Sequence, residues 1–254
     1  MRPWQAKVIN VRRLAPDIFS VWLREPGLAR ALRPGQFVNV AVGDSFEPVL
    51  RRPISVADTR AGRLRLVFRV RGTGTAWMSR ARAGDVWNLL GPLGRPVQVP
   101  RTGDVLLCGG GVGIAPLLFL AKSARRGRKP VAILGARNRR ELILLPEFRR
   151  SGVRVLAATD DGSMGFKGSA VDLLAREFRG RDKGFVAYAC GPKPMLEDIL
   201  ERMPDLPVWG FVEERMGCGT GLCYCCALPA KDGGYVRFCK EGPVVDLRRV
   251  RFDA

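Results

Sequence analysis

The 254-residue sequence predicts a β plus α/β chain: an N-terminal antiparallel β-barrel, a doubly wound parallel sheet and a small C-terminal cysteine module. Three observations carry this expectation. Before residue 99, short alternating or apolar runs are separated by frequent glycine and proline, the pattern of a small barrel. From Asp104 onward, short apolar strands alternate with helical stretches, as in a parallel sheet covered by helices. Near the C-terminus stand Cys218, Cys223, Cys226 and Cys239, spaced C-x4-C-x2-C with the fourth after twelve intervening residues. The expected division is 1–98, 99–210 and 211–254, with the first boundary near Val99–Gly103.

The barrel strands are expected at Lys7–Arg12, Ile18–Leu23, Phe37–Val42, Leu64–Val70 and Val86–Leu90. Pro26-Gly27, Pro34-Gly35, Gly43-Asp44, Gly84-Asp85 and Gly91-Pro92 supply the turns. A helix is expected after Gly74-Thr75, with Trp77 and Met78 on its buried side. In the second unit, strands are expected at Asp104–Cys108, Val131–Gly135, Val153–Ala158 and Phe185–Ala189. Helices are expected at Pro116–Arg125, Leu142–Arg150 and Ala170–Arg179.

Composition narrows the chemistry. There is no histidine, which excludes Ser-His-Asp and Cys-His catalysis, His-ligated zinc or haem, and Rieske centres. Chemistry must come from cofactors, cysteine, carboxylates, lysine or tyrosine. The formal charge is +19, yet only eight of the 43 basic residues are lysines. The arginine pairs, such as Arg12-Arg13, Arg51-Arg52, Arg125-Arg126, Arg139-Arg140 and Arg248-Arg249, are scattered. A nucleic-acid binder concentrates them in a stripe with aromatics, so no nucleic-acid partner is expected, and an acidic partner surface stays open. No apolar run reaches the length of a membrane span. The N-terminus lacks a signal-peptide core, and the expected compartment is the cytoplasm.

The cysteine spacing matches the plant-type pattern for a [2Fe–2S] cluster. Gly217, Gly219 and Gly221 alternate around the first cysteine, where a loop must bring N–H groups close to sulfur. Cys225 reads as a neighbour, because pairing it with Cys223 needs an x1 spacing that the motif does not use. The alternative is a zinc site of four thiolates, although a zinc ribbon presents two short C-x2-C pairs and only one is present. A disulfide framework fits poorly with seven cysteines and no secretory signal.

Upstream, three loops suit nucleotides. In Arg51-Arg52-Pro53-Ile54-Ser55-Val56 an arginine fork and a hydroxyl can meet a pyrophosphate. In Val67-Phe68-Arg69-Val70-Arg71-Gly72-Thr73-Gly74-Thr75, glycines permit close approach and a helix start favours an anion. Cys108-Gly109-Gly110-Gly111-Val112-Gly113-Ile114-Ala115 lies between the first strand and first helix of the sheet, where a nucleotide loop belongs. It is not a strict G-x-G-x-x-G, and the next strand ends in Gly135-Ala136-Arg137-Asn138 without the usual acid. Cys190 reads either as a small buried residue or as one facing the crevice.

Together RRPISVAD, GTGT, LCGGGVGIAPLL, ATDDGSMGFKG, ACGPKPML and EERMGCGTGLCYCC…C, collinear over nearly the whole chain, resemble the ferredoxin-reductase superfamily. Within it they are most similar to the electron-transfer subunits of class 1B dihydroorotate dehydrogenases. The resemblance implies a barrel holding FAD, an NAD-binding sheet and a [2Fe–2S] module. It implies that Arg52, Pro53, Ile54 and Ser55, with Val67, Phe68, Arg69, Gly74 and Thr75, contact FAD. It places Gly110, Gly111, Val112, Gly113, Ile114 and Ala115, with Asp160, Asp161, Gly162, Cys190, Gly191 and Pro192, on the NAD(H) side. Cys218, Cys223, Cys226 and Cys239 are the implied cluster ligands, although Cys225 stands where the family usually has a small residue, which leaves the third ligand open. No catalytic side chain is implied. The implied role is electron transfer in pyrimidine biosynthesis, from an FMN-containing catalytic subunit in a heterotetramer, through [2Fe–2S] and FAD, to NAD+. Two related subunits share this frame: sulfhydrogenase gamma and the small subunit of NADH-dependent ferredoxin:NADP oxidoreductase. A basic zinc-containing nucleic-acid-binding module would leave the upstream loops unexplained. The preference between NAD and NADP stays open, since Arg137, Arg139 and Arg140 follow the second strand of the sheet.

Overall fold

The computed structural model describes residues 3–43, 50–99, 104–124, 130–180 and 184–252. The expected turn residue Asp44, most of the expected first boundary and Arg125-Arg126 lie outside them.

Six strands close an antiparallel barrel in the order β1-β2-β5-β4-β3-β6. They are β1 (Pro3–Ala15), β2 (Ile18–Arg24), β3 (Phe37–Val40), β4 (Arg52–Arg60), β5 (Arg63–Arg69) and β6 (Val86–Leu93). Helices α1 (Pro26–Ala31) and α2 (Thr73–Ser79) fill the corners. Strand alternation sorts the side chains. Along β5, Leu64, Leu66 and Phe68 enter the barrel core with Val38, Val40, Trp87 and Leu89. Val67 instead joins the core of the neighbouring sheet, and Arg65 and Arg69 reach that unit's carboxylates. One strand thus builds the barrel and presents a second face to the rest of the chain. The sequence reading treats Arg51–Val56 as a loop, whereas the structure makes Arg52–Arg60 a full strand. Pro53 obscures it by breaking the apolar alternation, yet it pairs opposite Asn39 without ending the strand.

The second unit is a seven-stranded sheet in the order β10-β9-β8-β7-β11-β12-β15, the last being Val244–Asp246. Its parallel strands are β7 (Asp104–Gly110), β8 (Val131–Ala136), β9 (Arg154–Thr159), β10 (Phe166–Lys167), β11 (Phe185–Cys190) and β12 (Val208–Phe211). The helices are α3 (Ile114–Ala124), α4 (Leu145–Arg150), α5 (Ala170–Phe178) and α6 (Lys193–Arg202). Helices α3 and α4 pack with the core that reaches the barrel; α5 and α6 cover the opposite face. The order reverses at β7, between β8 and β11, so the ligand crevice is expected at the C-terminal end of β7. Helix α4 is shorter than the expected 142–150. Pro146 lacks the N–H for a preceding turn, and Leu144 turns left-handed with φ +61°.

The C-terminal segment is stitched to both units. A small hairpin pairs β13 (Ala227–Pro229) with β14 (Tyr235–Arg237), and β15 (Val244–Asp246) adds antiparallel to β12. Cys226, Phe238 and Cys239 are buried in one core with Phe37 and Leu93 of the barrel. Among the described residues no helix is long and apolar enough to cross a membrane.

Candidate functional site

Two cavities open between barrel and sheet. The first, of about 270 Å³, is walled by Pro53, Ile54 and Ser55 of β4 and by Val67, Phe68 and Arg69 of β5. Phe37, Val112 and Val212–Glu214 complete much of its lining. The second, of about 530 Å³, lies at the C-terminal end of β7, among Gly110–Gly113, Arg137, Asp160, Gly191 and Pro192. Arg69, Arg71, Val112 and Glu213 line both. A ligand in one therefore borders a ligand in the other.

Several expected residues stand behind these walls. Arg52 is absent from the first cavity's lining; its Nη1 donates to the Leu50 carbonyl at 2.5 Å. A Cβ on Gly74 would lie 2.5 Å from Arg52 Nε, so the glycine there accommodates the arginine. Thr75 Oγ1 accepts from the Arg71 and Gly72 N–H groups at 2.8 and 3.2 Å and donates to the Gly72 carbonyl. Its hydroxyl is occupied in starting α2. Ile114 and Ala115 are fully buried beneath the glycine loop. Asp161 and Gly162 form the turn after β9 outside the cavity lining, and hydrogen bonds from Ser163 hold the Asp161 carboxyl below its usual range. Cys190 is buried, and its thiol does not line the cavity. Burial, then the charge of Glu213, pushes that thiol well above its usual value. Its carbonyl matters more: a Cβ on Gly113 would sit 2.4 Å from Cys190 O, so only glycine lets this loop lie across the end of β11.

Both cavities fit the implied cofactors. The first joins an apolar wall to Arg69 and Arg71, as a flat flavin with a charged tail requires. The second offers side-chain-free backbone at a sheet's switch point, as a dinucleotide requires. Arg69 is held by Glu141 at 2.9 Å and Asp17 at 3.4 Å.

The sequence reading did not single out Glu213, Glu141 or Asp198, and assigned Arg71 no role of its own. Arg71 was legible from its period-two step beyond Val67 and Arg69. Glu213 follows the end of β12, beside the crevice. Its side chain is exposed to the crevice, yet partial desolvation by the neighbouring protein raises its carboxyl above the usual value, with Arg71 opposing.

The cysteines gather two and two. The Cys218 N–H donates to Cys223 Sγ at 3.4 Å, and the Cys239 N–H to Cys226 Sγ at 3.4 Å. The Thr220 N–H donates to Cys218 Sγ at 3.3 Å. Burial acts to raise the Cys218 thiol, but hydrogen bonds from Thr220 and Cys223 outweigh it and hold it at about 5. Burial, then Cys226, pushes Cys239 up to about 12. Cys225 is exposed, whereas Cys226 is buried beside Cys239. Among the described residues, no three His, Cys, Asp or Glu side chains are placed to hold one metal ion. Two thiol pairs suit a two-iron core with four cysteine ligands better than a tetrahedral zinc. The loop's N–H donors also suit its sulfurs. Arg237 braces the loop, donating to the Gly221 carbonyl at 3.1 Å while paired with Glu241 at 2.6 Å.

Fold and site together define an oxidoreductase of the ferredoxin–NADP reductase type, with an iron–sulfur module at its C-terminal end. Residues 213–251 match the iron-sulfur cluster binding domain of dihydroorotate dehydrogenase B, and residues 107–201 an oxidoreductase NAD-binding domain. The dihydroorotate dehydrogenase B (NAD(+)) electron transfer subunit of Desulforamulus reducens is 40% identical over 250 residues, covering 95% of each chain. That of Bacillus caldolyticus is 39% identical, covering 93% of this chain and 94% of its own. A structure of an NADH-dependent reduced ferredoxin-NADP oxidoreductase superposes with a TM-score of 0.89 at 32% identity, covering 98% of this chain and 90% of that one. The ferredoxin reductase of carbazole 1,9a-dioxygenase shares the fold, with a TM-score of 0.72 at 20% identity, over 82% of this chain and 68% of its own. The chain belongs to the family of dihydroorotate dehydrogenase B electron transfer subunits.

Proposed function

We propose that this chain carries electrons from a dihydroorotate-oxidising, FMN-containing partner to NAD+, in a cytoplasmic heterotetramer that serves pyrimidine biosynthesis. The observation that carries the reading is the shared wall of the two cavities, with the cysteine loop packed against the same barrel. FAD supplies the exchange between a hydride carrier and a one-electron carrier. The protein's residues bind, orient and shield.

Cys218, Cys223, Cys226 and Cys239 are the proposed cluster ligands. Pro53–Ser55 and Val67–Arg69 form the flavin wall, with Arg52, Gly74 and Thr75 supporting it. Gly110–Gly113, Asp160, Gly191 and Pro192 form the nucleotide side, backed by Ile114, Ala115, Asp161, Gly162 and Cys190. Residues 1–98, 99–210 and 211–254 serve as flavin, nucleotide and cluster units. The third is tied to the second through β15.

Anaerobic co-purification tests the partner. Capture of an FMN protein and dihydroorotate-dependent NAD+ reduction are expected. The similarity to an NADH-dependent reduced ferredoxin-NADP oxidoreductase supports a second reading. Capture of a large flavoprotein, without dihydroorotate activity, would establish that one instead.

A further inference from the structure

Strand β3 reads Phe37-Val38-Asn39-Val40, and its asparagine is out of place. Asn39 is 1% exposed, and burying a carboxamide is costly unless both ends are bonded. Its Oδ1 has no hydrogen-bond partner among the described residues. Its Nδ2 donates to the carbonyl of Cys218 at 3.5 Å. The side chain also dictates the next residue of the cysteine loop. Gly219 has φ +72°, and a Cβ there would lie 2.1 Å from Asn39 Nδ2. Two positions earlier on the same strand, Phe37 lines the first cavity and shares a buried core with Cys226 and Cys239. This stretch of β3 is thus the wall between the flavin side and the cysteine loop.

We propose that Asn39 is a positioning residue for the iron–sulfur centre: its buried carboxamide holds the Cys218 carbonyl against β3 and so fixes where the first ligand presents its sulfur. This rests on reading the four cysteines as cluster ligands. An apolar isostere would fill the same space, so stability does not explain the amide. Its partner is the backbone of a ligand, where an outer-shell group orients the ligand and tunes the metal.

The test uses the full chain purified anaerobically with its partner, comparing wild type with Asn39→Leu. Both should retain FAD. The variant should show altered g values in the reduced-cluster EPR spectrum, a shifted cluster midpoint potential and about tenfold faster iron loss to a chelator. Unchanged EPR, potential and iron retention would overturn the role of Asn39. A wild-type protein with no two-iron signal would instead overturn the ligand reading beneath it. Should Asn39→Leu fail to fold, Asn39→Ala, Gly219→Ala and their double variant provide the measurement. Removing the amide should relieve part of the Gly219→Ala defect in iron retention, a non-additive result. Strictly additive losses would overturn the proposal.

Discussion

Glu213 stands where both cavities meet, and partial desolvation raises its carboxyl against the opposing pull of Arg71. Protonated, it spares an anionic nucleotide from repulsion; ionised, it does not. The KM for NADH is therefore expected to rise as pH climbs through the raised Glu213 value, with kcat less affected. Glu213→Gln should flatten that rise, and an unchanged KM profile would contradict the assignment. The stability sign agrees: Glu213's contribution is fullest below the usual carboxylate value and is lost as pH rises through the raised one. The cysteines give a second residue-scale prediction. Cys225→Ser should keep its iron and visible spectrum, because Cys225 is exposed; Cys226→Ser, buried beside Cys239, should lose both. The sequence exposed the ligand spacing but left the third ligand open, because spacing does not report which sulfur turns inward. It also hid Asn39, since one polar letter in an apolar strand resembles an ordinary surface position.

Helix α5 shows how far element-scale reading reaches. Its expected start at Ala170 holds, and Ser169 and Asp172 close it with a capping box, in reciprocal bonds of 2.9 and 3.0 Å. Its tie to α6 was not legible, because Arg202 meets Asp172 at 2.8 Å across thirty positions. Arg202, then Ser169, holds the Asp172 carboxyl at about 2. A depressed carboxylate adds stability above its ordinary value of 3.8, lost as pH falls toward about 2. Arg202→Gln should cost no more than about 1 kcal/mol, because the pair is partly exposed. It should also shift acid unfolding, followed by circular dichroism, to higher pH. An unmoved acid transition would show that the pair contributes nothing. Strand β4 was misjudged for a different reason: its first half faces the first cavity and carries Pro53, so it lacks the apolar alternation of a packed strand.

At the scale of the molecule, barrel and sheet are clasped by ion pairs far apart in sequence. Lys122 meets Asp58 at 2.5 Å, Arg69 meets Glu141 at 2.9 Å and Arg65 meets Glu147 at 3.4 Å. Asp58 is nearly buried while Lys122 is 37% exposed. Lys122→Ala should thus cost about 2 kcal/mol in denaturant unfolding, less than a fully buried pair would. A loss near zero would show that water already satisfies Asp58. Both units were legible, because each follows a local period. Their clasp was not, because it joins residues 64 to 82 positions apart. The cavities exist only at that junction, so the site's motifs were readable while its geometry was not. The central claim is that electrons reach NAD+ only through the cysteine-bound cluster. The most direct test is dihydroorotate-dependent NAD+ reduction by the complex carrying Cys218→Ser. Coupled reduction should vanish while NADH still bleaches this chain's own flavin; coupling that survives at the wild-type rate would contradict the account.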